Sequence, residues 1–418
     1  MLNLLCRMAE RCIAALKSSG KPKVLVIAGS TSVGKTNLSL ELASRLGGEV
    51  VSADSAQVFC GMDIGSAKIS QDEMRGIPHH LLNIADVSDS FSAGQYAVEA
   101  VSVITDIIKR GRVPLVVGGS GLYFRTLIEG ASGAPPSSPA SKAMVEEMVQ
   151  RDGGVWDVSL ERLRSLDPDY TAKLECNDWY RLKRALEICT LSGQTVTSFK
   201  RDYSVDEAEY NFKCLFLTMP RLPLKQRIDA RCELIVEQGL FPEVIGLVRE
   251  GGLVAESQAG RSVGYRQALE FLASVWGYPG NGPPYQLQVP PDKLRQLFLD
   301  FLHNYQAKTR QLSSVQSTWI KKSPYFHWLN LAPGGTRLPT EVVAGGVAEW
   351  FNTDTPLPLD WSGEPLKEIT VEEREELKRY GSKHTQLNIY SDPTKVDIVL
   401  KQIETCIQTI DNSKLMMS

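Results

Sequence analysis

The chain has 418 residues, 43% hydrophobic and 23% charged, with a formal net charge of −3, a balance that excludes disordered, collagen-like and disulfide-scaffold classes. No uncharged apolar run of about 18 residues appears, so no membrane span is expected. Eight cysteines (6, 12, 60, 176, 189, 214, 232 and 406) show neither a CxxC pair nor regular spacing, which fits free thiols in a reducing compartment, either the cytoplasm or an organelle such as a plastid or mitochondrion.

Residues 1–19 carry Arg7, Arg11 and Lys17 against the single acid Glu10; they read equally as an organelle-targeting stretch or an amphipathic leading helix. The apolar, β-branched run 24–28, bounded by Pro22 and Gly29, reads as a buried parallel strand. A helical pattern over 35–46 ends at Gly47 and Gly48. Residues 49–53 and 113–117 give two further strands, with a helical stretch over 93–110 between them. Such alternation predicts an α/β fold with a parallel sheet flanked by helices.

The turn-rich stretch 131–140 breaks that pattern, helical periodicity runs from 142 to 192, and a strand-like run over 212–218 resumes the sheet. The simplest organisation is a core in two parts, 22–130 and 201–330, with a helical insertion over 131–200. In the second part, helical patterns over 220–276 and a Gly/Pro loop over 278–291 precede a long amphipathic helix. Its Leu294, Leu297, Phe298, Phe301, Leu302, Tyr305 and Leu312 share one face. Residues 331–418 form an acidic C-terminal extension, with 9 Lys/Arg against 14 Asp/Glu, broken by Pro356, Pro358 and Pro365 and ending in a helix over 393–409. The remainder holds 37 Lys/Arg against 35 Asp/Glu. Bulk charge marks no nucleic-acid binder, so any such contact must come from local patches.

Gly29-Ser30-Thr31-Ser32-Val33-Gly34-Lys35-Thr36 matches the pattern G-x-x-x-x-G-K-[ST] between a strand and a helix. The glycines let backbone amides converge on phosphate oxygens, Lys35 adds a point charge, Thr36 offers a hydroxyl to Mg²⁺, and the helix N-terminus adds its positive end. The loop binds phosphate without saying which phosphate compound. Hydrolytic ATPases place an Asp after a second strand, yet the strand over 113–117 runs into Gly118-Gly119-Ser120-Gly121. The other carboxylate is Asp54, after the strand over 49–53. At the carboxyl edge of the sheet it can hold Mg²⁺ through water, accept a proton from a bound nucleophile, or simply shape a turn.

Further motifs follow in order: residues 52–68, 78–83 and 117–123, Asn177-Asp178, residues 181–187, Gln226-Arg227, residues 263–267 and residues 309–312. Across roughly residues 22–325 the chain resembles the tRNA dimethylallyltransferases, also called tRNA isopentenyltransferases. The resemblance implies a P-loop NTPase-like core that transfers a dimethylallyl group from its diphosphate to the exocyclic amine of adenosine 37 in tRNA. It implies that residues Gly29, Ser30, Thr31, Ser32, Val33, Gly34, Lys35 and Thr36 hold the diphosphate, with Mg²⁺ on Thr36. Asp54 is implied as the proton acceptor, Lys35 and Arg227 as cations on the leaving group, and Ser120 as the hydroxyl beside the reaction channel. For the anticodon stem-loop it implies contacts by Asp54, Ser55, Ala56, Gln57, Tyr180, Arg181, Leu182, Lys183, Arg184, Arg261, Gly264, Tyr265 and Arg266. The target base must leave its stack to react. A monomer and no membrane partner are expected.

The chain departs from the family where Ser30 replaces Pro, Phe59 replaces Tyr, and Ser314 and Val315 replace a basic pair. Two lost cations weaken phosphate contacts and flatten the salt dependence of binding, and Lys321 and Lys322 stand nearby as partial replacements. Taken by themselves, Arg181, Lys183 and Arg184 read as a solvated helix face. His79 and His80 read as loop hydrogen-bonders rather than metal ligands. Three other functions stay open: an adenylate isopentenyltransferase acting on free AMP, ADP or ATP in cytokinin synthesis, a P-loop small-molecule kinase, and a catalytically idle RNA-binding or scaffold protein. The insertion and residues 264–267 favour tRNA over free nucleotides. The missing acid after Val117 counts against the kinase, and intact Lys35, Thr36, Asp54 and Arg227 count against the idle protein.

Overall fold

The computed structural model describes residues 20–130, 133–199, 209–279, 285–321, 323–332, 335–354, 356–358, 361, 370–382 and 392–415. The N-terminal stretch 1–19, part of the turn cluster (Ala131 and Ser132), Lys322 and Pro365 lie outside them. β1 (Lys23–Gly29), α1 (Lys35–Leu46), β2 (Gly48–Ala53) and the two-residue β3 (His79–His80) come first, then α2 (Ala93–Lys109), β4 (Val113–Gly118) and α3 (Gly121–Glu129). A helical run follows: α4 (Pro139–Arg151), α5 (Trp156–Leu166), the single turn α6 (Pro168–Thr171) and α7 (Trp179–Ser192). β5 (Asn211–Thr218) precedes α8 (Arg221–Glu237), α9 (Leu240–Gly251), α10 (Tyr265–Trp276) and α11 (Pro291–Lys321). The chain ends with β6 (Phe326–Asn330), α12 (Thr340–Thr353), α13 (Val371–Ser382) and α14 (Pro393–Leu415).

These elements form two compact units, one from the described residues up to Ser92, Glu99–Phe124 and those from Glu209 onward, the other from Ala93–Val98 and Arg125–Ala208. In the first, six parallel strands run in the order β3-β2-β4-β1-β5-β6. β1 lies inside because it can: Val24, Leu25, Val26 and Ile27 are fully buried, as a strand covered on both faces requires. The sheet therefore turns the carboxyl ends of β1, β2 and β4 to one edge, where ligands of open α/β sheets bind.

An acidic extension starting at residue 331 is not what the described residues form. Leu331 donates its amide to Thr218 O at 2.9 Å, continuing the β6 pairing. α12 packs on α1 through a face that buries Val343, Ala344, Val347, Trp350 and Phe351. Lys23 ties its end by donating to Phe351 O at 2.8 Å and Asp354 at 3.1 Å. Beyond it, the acid surplus meets α8: Glu373 pairs with Arg221 at 2.7 Å, and Tyr380 donates to Asp229 at 2.8 Å. α14 is held likewise, by Lys395 on Glu237 at 2.8 Å.

The helical unit has its own core. Val145, Val149, Trp156, Leu163, Leu182, Leu186 and Cys189 pack together. Ser138 and Ser141 form a capping box at the start of α4, and Asp178 caps α7, each satisfying amides that a helix leaves open. Among the described residues no helix is long and apolar enough to cross a membrane.

At the far end of β2 the Glu49 side chain is 2% exposed. It accepts from Arg110 at 2.8 Å, Arg112 at 3.0 Å and His80 at 2.8 Å. The Arg110 hydrogen bonds lead in holding its carboxyl down to about 2, against a desolvation that pushes it up. A depressed carboxylate contributes stability above its unfolded pKa, and that stability is lost as pH falls through the folded value. Glu49→Gln should therefore lower stability at neutral pH by about 2–3 kcal/mol, less than the whole shift because both arginines face solvent. Urea titrations of both proteins at stepped pH should converge as acid is added below about pH 4; a constant gap would assign the loss to packing.

Candidate active site

The loop between β1 and α1 is shaped for an anion. Gly34 has φ 115 and no side chain caps the helix, so the first amides of α1 are left to whatever binds there. Lys35 turns back into the loop, its Nζ donating to Gly29 O at 2.8 Å and Ser30 O at 2.9 Å. Burial lowers its pKa to about 8; the Asp54 carboxylate nearby opposes that shift, and Arg231 reinforces it. Thr36 is exposed in the first helical turn. Ser32, in the left-handed region at φ 64, has a buried Oγ with no hydrogen-bond partner. Val33 and Ser30 point inward: Val33 is fully buried, and Ser30 Oγ donates to Ser313 O at 3.1 Å and lies 3.0 Å from Ser317 Oγ. These two serve the loop through their backbone alone.

Distant segments close around the loop. Arg227 on α8 donates its Nε to Ser32 O at 2.9 Å. Arg231, one turn later on the same face, is close enough to Lys35 and Arg227 to lower the pKa of each. Gln316 on α11 accepts from the Thr31 amide at 2.9 Å. It also fills the space beside Gly119, where a Cβ would collide with its Nε2. Arg337, just before α12, reaches Gly34 so closely that a Cβ there would meet Nη2 at 2.5 Å. Four cations thus gather at this loop, and the Asp54 carboxylate is near enough to Lys35 to favour its charged form. Sequence reasoning missed Arg231, Gln316 and Arg337. Only Arg231 had a local signal, its four-residue spacing from Arg227 on one helix.

Across the edge of the sheet, Asp54 Oδ1 accepts from the Ala56 amide at 2.9 Å and shapes the turn after β2. Ser120 ties this turn to β4: its Oγ accepts from the Ser55 amide at 2.9 Å and donates to Ser55 Oγ at 3.2 Å. The Ser120 amide donates to Ala53 O at 3.1 Å. Gln57 is anchored too, accepting from Ser52 at 3.3 Å and donating to Ser66 O at 3.3 Å. Tyr265 is fully buried. Its hydroxyl donates to Glu243 at 2.6 Å, and Glu243 also accepts from the amides of Asp63, Ile64 and Gly65. Tyr265 therefore holds that loop instead of meeting a large ligand. Gly264, at φ 96, gives the Tyr305 ring its space, while Arg261 and Arg266 are exposed, Arg266 pairing with Glu270 at 2.8 Å. His80 sits on Glu49, and His79 on Ile77 O at 2.8 Å.

The basic stretch of α7 divides by burial. Leu182 is fully buried in the core of the helical unit, so it cannot touch nucleic acid. Arg184 is spent on the fold, bonded to Glu187 and Pro135 O. Lys183 pairs with Glu146 at 2.5 Å and lies over the Trp179 ring. Tyr180 is 68% exposed, and the Arg181 side chain is 56% exposed beside Asp178.

A family model described as IPP transferase matches residues 57–323. It begins past the phosphate loop and Asp54, which stand on their own geometry. Among curated proteins, the chain is 36% identical over 347 residues to tRNA dimethylallyltransferase 9 of Arabidopsis thaliana, covering 75% of this chain and 72% of that one. It is 36% identical over 311 residues to the tRNA dimethylallyltransferase of Protochlamydia amoebophila, covering 74% and 85%. Of the solved structures, a eukaryotic dimethylallyltransferase acting on tRNA matches with a TM-score of 0.63 and 26% identity, over 88% of this chain and 86% of that one. The tRNA delta(2)-isopentenylpyrophosphate transferase of Staphylococcus epidermidis matches with a TM-score of 0.54 and 29% identity, over 80% and 100%.

Proposed function

The chain belongs to the IPP transferase family of tRNA-modifying prenyltransferases, and on that premise we infer that it transfers a dimethylallyl group from dimethylallyl diphosphate to the exocyclic amine of adenosine 37 in tRNA. The observation that carries this reading is an uncapped, cationic loop whose Lys35 lies near the Asp54 carboxylate. The loop amides, Lys35 and Arg227 bind the diphosphate. The amine nitrogen of a flipped-out adenine attacks the allylic carbon, the carbon–oxygen bond breaks, and the diphosphate departs with the electron pair. Asp54 takes the amine proton. Because an allylic cation is delocalised, bond breaking is easy and stabilising the leaving anion matters most. An adenine amine is a poor nucleophile, so a carboxylate that accepts its hydrogen bond localises the lone pair. Ser120 positions Asp54 through Ser55.

An Mg²⁺ ion fits this reading. Thr36 is exposed beside the loop, and its hydroxyl would hold the ion together with phosphate oxygens and water. When bound it neutralises charge on the departing diphosphate. Prenylation of free adenine nucleotides and phosphoryl transfer are not favoured, since the curated relatives are tRNA dimethylallyltransferases. Incubation with labelled dimethylallyl diphosphate and tRNA, free nucleotides or a small-molecule acceptor tests this directly. Label in tRNA alone is expected, and label in AMP or ADP would overturn the reading.

For tRNA contact on α7, exposure supports Arg181 over Arg184. Arg181→Ala should raise the tRNA dissociation constant, leave donor affinity unchanged, and reduce the salt slope of binding by about one. Arg184→Ala should instead show itself as a lower melting temperature, because Glu187 is left buried without its cation. Unchanged tRNA affinity and slope in Arg181→Ala would return that arginine to an ordinary solvated helix face.

A further inference from the structure

The guanidinium of Arg337 is placed where a structural arginine has little reason to be. It lies against Gly34, with Nη2 2.5 Å, Cζ 3.6 Å and Nη1 3.8 Å from the position a Cβ would take. That is the positive end of α1, a poor site for a cation. Its neighbours are cations as well, since Arg337 is the larger of two charged groups that depress the pKa of Arg227. Its Nη1 is nonetheless buried and has no hydrogen-bond partner. The backbone leading to it is fixed: Leu338 donates its amide to Leu331 O at 2.9 Å, and Leu331 in turn donates to Thr218 O at 2.9 Å. Two residues later α12 begins and packs on α1. A buried donor without a partner, crowded by like charge, is costly unless an anion joins it. The orphaned Ser32 Oγ in the same loop has the same need.

We propose that Arg337 contacts the diphosphate of the prenyl donor, as a third side-chain cation beside Lys35 and Arg227, delivered by the segment between β6 and α12. This rests on the functional reading above and deepens it. The residue lies in the C-terminal part of the chain, beyond the segment matched by the family model, which ends at 323. The planar fork suits two phosphate oxygens at once. As the allylic carbon–oxygen bond breaks, charge grows on the diphosphate, and the contact strengthens where catalysis requires it.

The experiment uses the full chain with inorganic diphosphate, dimethylallyl diphosphate and tRNA as separate probes. Arg337→Ala should weaken inorganic diphosphate binding by about 10-fold or more and raise the KM for the prenyl donor, with the tRNA dissociation constant unchanged. Arg337→Lys should recover part of that loss, because it restores charge without the fork. Should Arg337→Ala fold poorly, the comparison of Arg337→Lys with Arg337→Gln carries the test, since only the lysine variant keeps the charge. Diphosphate affinity equal to or tighter than wild type in the neutral variants would overturn the proposal; a gain would identify Arg337 as a plug that the donor displaces. If the wild-type chain itself fails to bind diphosphate or to prenylate tRNA, the functional reading fails instead, and the two outcomes are distinct.

Discussion

Asp54→Asn is expected to slow prenyl transfer by about 10²- to 10⁴-fold while both substrates still bind. The geometry makes this substitution a clean one. Asp54 Oδ1 accepts the Ala56 amide at 2.9 Å, and the asparagine carbonyl can accept the same bond, so the turn after β2 survives. What disappears is a negative charge and a site for the adenine proton. One side effect is foreseeable: the Asp54 carboxylate supports the charge on Lys35, whose pKa burial already depresses to about 8. Without that carboxylate Lys35 loses its proton more readily, so the comparison belongs well below that pH, where Lys35 is charged in both proteins. A single-turnover rate near that of wild type under those conditions would leave Asp54 as a turn-forming residue only.

Legibility in the sequence follows contiguity. β1, α1, β2 and β4 announce themselves because a buried parallel strand is an unbroken apolar run, and the phosphate loop because its eight residues are consecutive. β3 is only two residues, His79 and His80, held by pairing with β2 and by Glu49 rather than by any pattern of its own. β6 is a short edge strand in which Phe326 and Leu329 are buried and the residues between them are not, so it shows no clean alternation. α12 hides because its apolar face covers α1, so its sequence reads as a hydrophobic patch in an otherwise acidic region. Within the site, Arg227 is identified by family resemblance, whereas Gln316 and Arg337 reach the loop from 285 and about 300 residues away, a proximity that only the fold creates. The opposite error concerns Leu182 and Tyr265, which stand inside recognisable motifs but are buried. For Leu182 the spacing to Ala185, Leu186 and Cys189 already marks the inner face of α7.

Removing either cation of the loop should weaken catalysis through the leaving group, with Lys35→Ala and Arg227→Ala each slowing transfer by about 10²-fold or more. The two differ in kind. Arg227 also pins Ser32 O at 2.9 Å, so Arg227→Lys restores charge but not that bond and should recover only part of the rate. Lys35 adds a pH signature. Burial leads in holding its pKa down to about 8 in the unliganded chain, whereas an ion pair with diphosphate favours the charged form and raises it again. Between that value and the ordinary lysine range near about 10.4, donor binding must take up a proton. Affinity for inorganic diphosphate should therefore fall toward tenfold per pH unit there, once the titration of the diphosphate itself is subtracted. Calorimetry in buffers of different ionisation enthalpy reads the uptake directly, and Lys35→Ala should abolish it. A donor with a better leaving group should rescue Lys35→Ala and Arg227→Ala but not Asp54→Asn, because only the first two act on the bond that breaks. Equal rescue of all three would mean that the charge and proton roles assigned to these residues are wrong.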